Sequence, residues 1–247
     1  MTFAGRYRCA GLTALAATLA VARFGFAYEG LPITNGGTIA GQVRVVGDVI
    51  PLPPQPVYKH IAECGSTVRD DRLVVGLRGA LEFAVVTLDG VTKGKPAPVA
   101  PVVLRNKACA FVPHVISATT GQMLDIVNDD PFLHDAHAWI GQRTLFNLAI
   151  PRDRTVHRQL EYPGIIHVNC NVRHTWMHAY IVVTDNPYHA VTGADGRFTI
   201  TDVPAGKYRV TVWHEILGSV ERPITVVAGV TTTVDVDLQA VAPPPGP

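Results

Sequence analysis

The chain reads as all-β, two sandwich modules in tandem. Three observations carry this. Apolar residues recur in short alternating or β-branched runs of the length of single strands, and no helical period is sustained. Of 247 residues, 22 are Gly and 19 Pro, the punctuation that many turns require. Charged residues make up 17% and aromatics 7%, which suits compact, half-buried sheets better than long solvated helices. The length allows one large β domain or two small ones.

Residues 1–27 stand apart. Arg6 and Arg8 precede the apolar stretch Ala10 to Ala22, and small residues at Ala20-Val21-Ala22 or Gly25-Phe26-Ala27 offer cleavage sites. This is the pattern of a signal peptide, with an uncleaved anchor as the alternative, and it predicts a periplasmic or secreted protein. No later segment is long and apolar enough to be an integral membrane span in the mature chain. The full chain has 21 basic and 20 acidic residues, and loss of Arg6, Arg8 and Arg23 with residues 1–27 leaves 18 basic against 20 acidic. A near-neutral chain without a basic stripe excludes nucleic acid as a partner class.

The first module is read over residues 28–185. Gly41 to Val46, Leu81 to Leu88, Val102 to Asn106, Gln122 to Asn128, Ile165 to Cys170 and Ala179 to Thr184 are its expected strands, each bounded by Gly, Pro, Asn or Asp. Period-two alternation puts Ile166, Val168 and Cys170 on one face and His167 and Asn169 on the other, so Cys170 should point inward. The second module is read over 186–240. It runs from Tyr188 to Thr192, turns at Gly193-Ala194-Asp195-Gly196, and continues through Arg197 to Ile200 and Lys207 to Trp213, where Tyr208, Val210 and Val212 share a face. Val220 to Val227 and Thr231 to Leu238 complete it. At about 55 residues such a sandwich is marginal alone and must lean on its neighbour. Residues 241–247 form a Pro-rich tail.

Chemistry concentrates in the run Cys170-Asn171-Val172-Arg173-His174-Thr175-Trp176-Met177. A thiolate, an imidazole and a thioether share one short loop. Soft sulfur favours Cu(I), imidazole serves both oxidation states, and a trigonal Cys-His-His set with a weak axial thioether moves one electron with little rearrangement. The fourth group would come from the segment Asn128 to His137, where His134 and His137, three apart, face opposite ways in a strand so that only one can bind. Without Cys9, the cysteines are Cys64, Cys109 and Cys170, an odd number in an oxidising compartment. The simplest partition pairs Cys64 with Cys109 and leaves Cys170 to a metal. The competing one pairs the thiols otherwise and leaves a buried, metal-free cysteine.

The segment Asn128 to His134, the strand Gly164 to Asn169 and the loop Cys170 to Met177 resemble the cupredoxins, the plastocyanin-like and azurin-like blue copper proteins. The chain is more closely similar to exported bacterial plastocyanin-like, methylamine-utilisation-like proteins. That resemblance rests on Cys109-Ala110-Phe111-Val112-Pro113-His114, on Pro187 to Thr192 and on Trp213-His214-Glu215. It implies a cupredoxin-like Greek-key sandwich followed by a transthyretin-like, carboxypeptidase-regulatory-like sandwich. It also implies one copper ion per chain, held equatorially by His134, Cys170 and His174 and axially by Met177, with His134 preferred to His137. Where such proteins commonly carry Asn after the upstream His, this chain has Asp135, which accepts but does not donate when ionised. The loop also resembles the second half of the dinuclear copper motif of cytochrome oxidase subunit II. The residue where its first Cys would stand is Ile166, so one copper is expected rather than two.

The remaining histidines, His114, His167, His178 and His214, are read as core or surface residues, with His114 and the Trp213-His214-Glu215 run allowed near the site. Trp176, between two ligands, is read as packing that excludes water. No nucleophile elbow, His-Glu-x-x-His or phosphate loop is present, and no second histidine cluster for a catalytic copper is apparent from the sequence. The expectation is a non-enzymatic one-electron carrier with redox partner proteins such as exported cytochromes. A copper enzyme is the first rival. A structural, scaffold or storage role is the second, although storage calls for thiol-rich or thioether-rich tracts and the full chain has 3 Met.

Overall fold

The computed structural model describes residues 28–240; the expected signal peptide and Pro-rich tail lie outside them. The described chain is all-β apart from a one-turn helix, Ile61–Cys64, and one 3-10 turn. No helix among the described residues is long and apolar enough to cross a membrane.

One sandwich faces a four-stranded sheet against a five-stranded one. The first runs Thr155–Gln159, Met123–Asn128, Val102–Lys107, Ala110–Val112 in spatial order, and the second Arg143–Ile150, His134–Ile140, Gly164–Asn169, His178–Thr184, Val115–Thr119. Their inward residues, among them Leu104, Leu124, Ile126, Ala136, Ala138, Ile166, Val168 and Ile181, form one core. Ile166, Val168 and Cys170 are buried, and His167 and Asn169 are not. The strands His134–Ile140 and Arg143–Ile150 did not stand out in the sequence, because Asp135, Ala136, His137 and Asn147 dilute the β-branched signal that tertiary pairing supplies.

The second sandwich is not the contiguous unit expected over 186–240. Its four-stranded sheet runs His189–Val191, Val85–Asp89, Gly206–His214, Gly218–Val226; its other sheet centres on Gly37–Val46, flanked by Arg197–Val203 and by Thr231–Thr233 and Val236–Gln239. Gly37–Val46 and Val85–Asp89, assigned from sequence to the first module, lie in the middle of the second. Local patterning reports that a segment is a strand; it does not report its partner. With these strands included the module reaches a size at which a core of Ile39, Val43, Leu81, Val86, Leu88, Tyr188, Phe198, Val210, Val212 and Val226 closes.

Two expected strands are broken. Leu81 to Leu88 is extended only from Val85, since Phe83 sits at φ 64. Thr231 to Leu238 divides at Val234-Asp235, where the chain crosses Gly41 so closely that a Cβ there would stand 1.9 Å from the Val234 carbonyl oxygen. Glycine at 41 is therefore a matter of contact distance.

The sandwiches abut through Val85, Val115 and Val182, with Phe83, Ile165, Tyr180, Val191 and Trp213 around them. Trp213 alternates with buried Val210 and Val212, so it leaves its own core and faces the neighbour. His189 bridges the two, its Nδ1 2.8 Å from Ser117 Oγ and its Nε2 3.1 Å from Thr119 Oγ1.

Candidate metal centre

The first sandwich carries its chemistry at one end. The strand Gly164–Asn169 delivers Cys170 inward, and the chain returns in the strand His178–Thr184, antiparallel to it. Between them the loop is tied by Met177 N–H donating to the His174 carbonyl (2.8 Å) and Cys170 N–H to the Met177 carbonyl (3.3 Å). Arg173, at φ 69, turns the loop so that His174 points back inward. The strand His134–Ile140 pairs with Gly164–Asn169, and its first residue reaches past the end of that strand to face the loop.

The result gathers His134 Nδ1, Cys170 Sγ and His174 Nδ1. Sγ is 3.6 Å from His134 Nδ1 and 3.5 Å from His174 Nδ1, and the two nitrogens are 3.1 Å apart. All three residues are buried. With metal–nitrogen bonds of about 2.0 Å and a metal–sulfur bond of about 2.3 Å, donors around one ion are separated by roughly 3.3 to 3.8 Å, so the observed edges lie within a few tenths of that range. A single first-row ion fits among them. Met177, also buried, comes from the same loop and packs in the same core. His137 is excluded by strand alternation: it faces away and bonds Thr144 Oγ1 at 3.0 Å.

Surrounding groups fix each donor. His134 Nε2 faces Asp130 Oδ2 at 2.9 Å, so the proton resides there and Nδ1 is left with its lone pair. The same carboxylate accepts from Ala108 N–H (2.8 Å) and Cys109 N–H (2.9 Å). Burial opposes ionisation of Asp130, but the bonds from His134 and the two main-chain amides outweigh it and hold the carboxyl below its ordinary value. Asn128 shapes the segment, its Nδ2 donating to the Phe132 and Ile150 carbonyls and its Oδ1 accepting from Asp130 N–H. Asp135 does brace the Cys loop: its carboxylate accepts from Asn171 N–H, and its own N–H points at Sγ from 3.5 Å. The bracing bond needs an acceptor only, which Asp supplies as well as Asn.

Burial pushes the Cys170 thiol up to about 12, against main-chain N–H groups that act the other way. Burial first, then the nearby His134, His60 and Lys59, brings His174 down to about 4. In the physiological range the site is therefore a protonated thiol beside a neutral imidazole. A cation must displace the thiol proton, so binding releases one proton.

Three features were not read from the sequence. Asp130 lies four residues before His134, a spacing with no meaning outside this loop. His60 stacks on Phe132 with centroids 3.9 Å apart, and both rings flank His174, at 5.4 and 5.5 Å. His174 Nε2 is buried beneath them without a hydrogen-bond partner. His60 directly precedes the helix Ile61–Cys64, which the disulfide expected from the cysteine count, Cys64–Cys109, fastens to the sandwich, leaving Cys170 free. Trp176 Nε1 donates to the Cys109 carbonyl at 2.9 Å, so the indole joins the disulfide to the ligand loop.

Residues 177–239 match the family model described as carboxypeptidase regulatory-like domain. No curated protein matches the chain in sequence. Among solved structures, the chain is similar to the copper-containing nitrite reductase NirK from Thermus scotoductus SA-01, at 22% identity and a TM-score of 0.32 over 36% of this chain; it spans 24% of that one. It is similar to the reduced state of an amicyanin mutant, at 13% identity and a TM-score of 0.32 over 40% of this chain and 98% of that one. A purple cupredoxin from Nitrosopumilus maritimus overlaps at 18% identity and a TM-score of 0.30, over 34% and 99% of the two chains. At these scores the likeness assigns no function, and the weight rests on the donor set.

Proposed function

We propose that the protein is an extracytoplasmic one-electron carrier in which His134, Cys170 and His174 would hold one thiolate-bound copper, with Met177 of the same loop as a weak fourth donor. The observation that carries this is the buried Sγ, Nδ1, Nδ1 triangle with edges of 3.1 to 3.6 Å. Bound there, copper would supply the Cu(I)/Cu(II) couple, which mixed sulfur and imidazole donors serve in both states. The chain's part is to hold those donors still. Asp130 orients His134, Asp135 ties the Cys loop, and the Cys64–Cys109 disulfide with Trp176 backs the loop from behind. A cage that does not rearrange keeps the energetic cost of changing oxidation state small. The disulfide also fits an oxidising compartment. Redox proteins such as exported cytochromes are the partners this reading implies.

Visible and electron paramagnetic resonance spectra of the copper-loaded protein test it, followed by voltammetry. An intense thiolate-to-copper band that saturates at one equivalent, with a reversible one-electron wave, is the expected result. A colourless loaded protein removes the copper assignment. A coloured protein without a reversible wave leaves a structural or storage role.

A further inference from the structure

A second constellation lies where the two sandwiches meet. His114, from the turn before Val115–Thr119, His178, first residue of His178–Thr184, and Glu215, directly after Gly206–His214, bring one donor atom each within 4.8 Å of one another. Two belong to the first sandwich and one to the second. His114 and the Glu215 side chain are only 3% and 5% exposed.

The hydrogen bonds of the two rings point to a ligand. His114 Nδ1 lies 3.2 Å from the His178 carbonyl oxygen, and His178 Nδ1 lies 3.0 Å from the Trp176 carbonyl oxygen. A carbonyl only accepts, so each Nδ1 carries a proton and donates it. In a neutral ring each Nε2 is then a bare lone pair. His178 Nε2 is buried with no hydrogen-bond partner, and His114 Nε2 faces the Glu215 carboxylate, another acceptor. Two imidazole lone pairs and a carboxylate converging in a dry place, each ring held by a carbonyl behind it, is how proteins present a histidine pair to a metal. Among the described residues, the nearby cations are already paired: Arg72 is engaged by Asp70 through a 2.9 Å Nε–Oδ1 bond and a 2.5 Å Nη2–Oδ2 bond, and Arg69, which lines the same cavity as the two rings, is engaged by Asp71. A cavity of about 20 Å3 lined by His114 and His178 has room for one water-sized further ligand.

We propose that His114, His178 and Glu215 form a second metal site that takes a divalent first-row ion through two Nε2 atoms and a carboxylate. Zinc and copper(II) both suit this donor set. It contains no thiolate, so it is chemically distinct from the Cys170 centre, and it ties the two sandwiches together. His178 follows Met177 directly in the chain, so the two centres are neighbours. The alternative is an ion pair between a doubly protonated His114 and Glu215, without metal.

Equilibrium dialysis of the full chain against Zn2+ decides between them. Wild type should bind two ions, Cys170→Ser one, and Cys170→Ser with Glu215→Gln none at micromolar metal, the last change weakening the remaining site at least tenfold. X-ray absorption at the zinc edge of Cys170→Ser protein should show a nitrogen and oxygen shell with imidazole scattering and no sulfur. This readout needs no Glu215 variant to fold. A parallel titration with Cu2+ identifies the preferred ion, and Glu215→Gln should keep the thiolate band of the other centre. If Cys170→Ser binds no metal, or binds it equally well with Glu215→Gln, the site does not exist and the ion pair is the correct account. Failure of the thiolate band with a sulfur-free ion still bound would remove the electron-carrier reading and leave this one standing.

Discussion

At the residue scale the site separates donors from the groups that aim them, and substitutions should sort accordingly. Cys170→Ser removes the thiolate and with it the whole charge-transfer band of copper-loaded protein, read by absorption. Met177→Leu trades a thioether, a weak donor on the proposed reading, for a hydrocarbon, so the band should persist while voltammetry shows a higher potential. Loss of copper as complete as in Cys170→Ser would show that Met177 is not a weak, dispensable donor. Asp130→Ala strands His134 Nε2 and the Ala108 and Cys109 amides, and copper affinity should drop by about 10- to 100-fold in chelator competition. Asp135→Asn keeps an acceptor for Asn171 N–H and should leave affinity nearly unchanged, whereas Asp135→Ala should not. The cluster of His134, Cys170 and His174 was legible because Cys170 and His174 sit on one short loop, with Met177, and His134 ends a recognisable segment. Asp130, His60 and Phe132 were not, since their roles arise from a stacking and a hydrogen bond that join segments about 70 residues apart or turn on one loop's path.

At the scale of single elements, the covalent tie and the interface histidine each have measurable weight. The Cys64–Cys109 bridge spans 45 residues, and cross-linking a loop of that length restricts the unfolded chain by about 4 kcal/mol. Cys64→Ser with Cys109→Ser should lower the thermal midpoint and uncover His174, since the His60 ring loses its anchor. Burial brings His189, held between Ser117 and Thr119, down to about 4 from its ordinary 6.5, with Lys95 adding to the effect. The folded state thus keeps it neutral while the unfolded chain takes up a proton first as pH falls. Its contribution is whole above about pH 6.5 and is lost between there and about pH 4, by up to about 1.4 kcal/mol per unit. Denaturant midpoints of wild type and His189→Gln across that window check this: the slope should flatten in the variant. Strands with β-branched alternation, such as Gly164–Asn169 and Gly206–His214, could be read directly. His134–Ile140 could not, because its residues are strand-formers only in the company of the neighbours on either side.

For the whole molecule, the largest departure from the sequence reading is the partnership of Gly37–Val46 and Val85–Asp89 with strands beyond residue 188. A chain ending at 185, a self-sufficient unit on the linear reading, leaves both strands without partners and Ile39, Val43, Val86 and Leu88 without a core. Such a truncation should be aggregated in sedimentation, and adding residues 186–240 back on the same chain should restore a monodisperse species. Register between distant strands is set by which apolar faces find one another in three dimensions, which explains why strand positions were readable and their assembly was not. The same threading sets an order of events as the polypeptide emerges from whatever channel delivers it. Every strand of the sandwich that carries Cys170 is out once Thr184 has passed, and that sandwich can close. Gly37–Val46 emerges among the first described strands yet waits for Val236–Gln239, among the last, with its edges open to any passing β-strand. The donor triangle is assembled in a half-built protein, and the longest-exposed danger is the segment that left first.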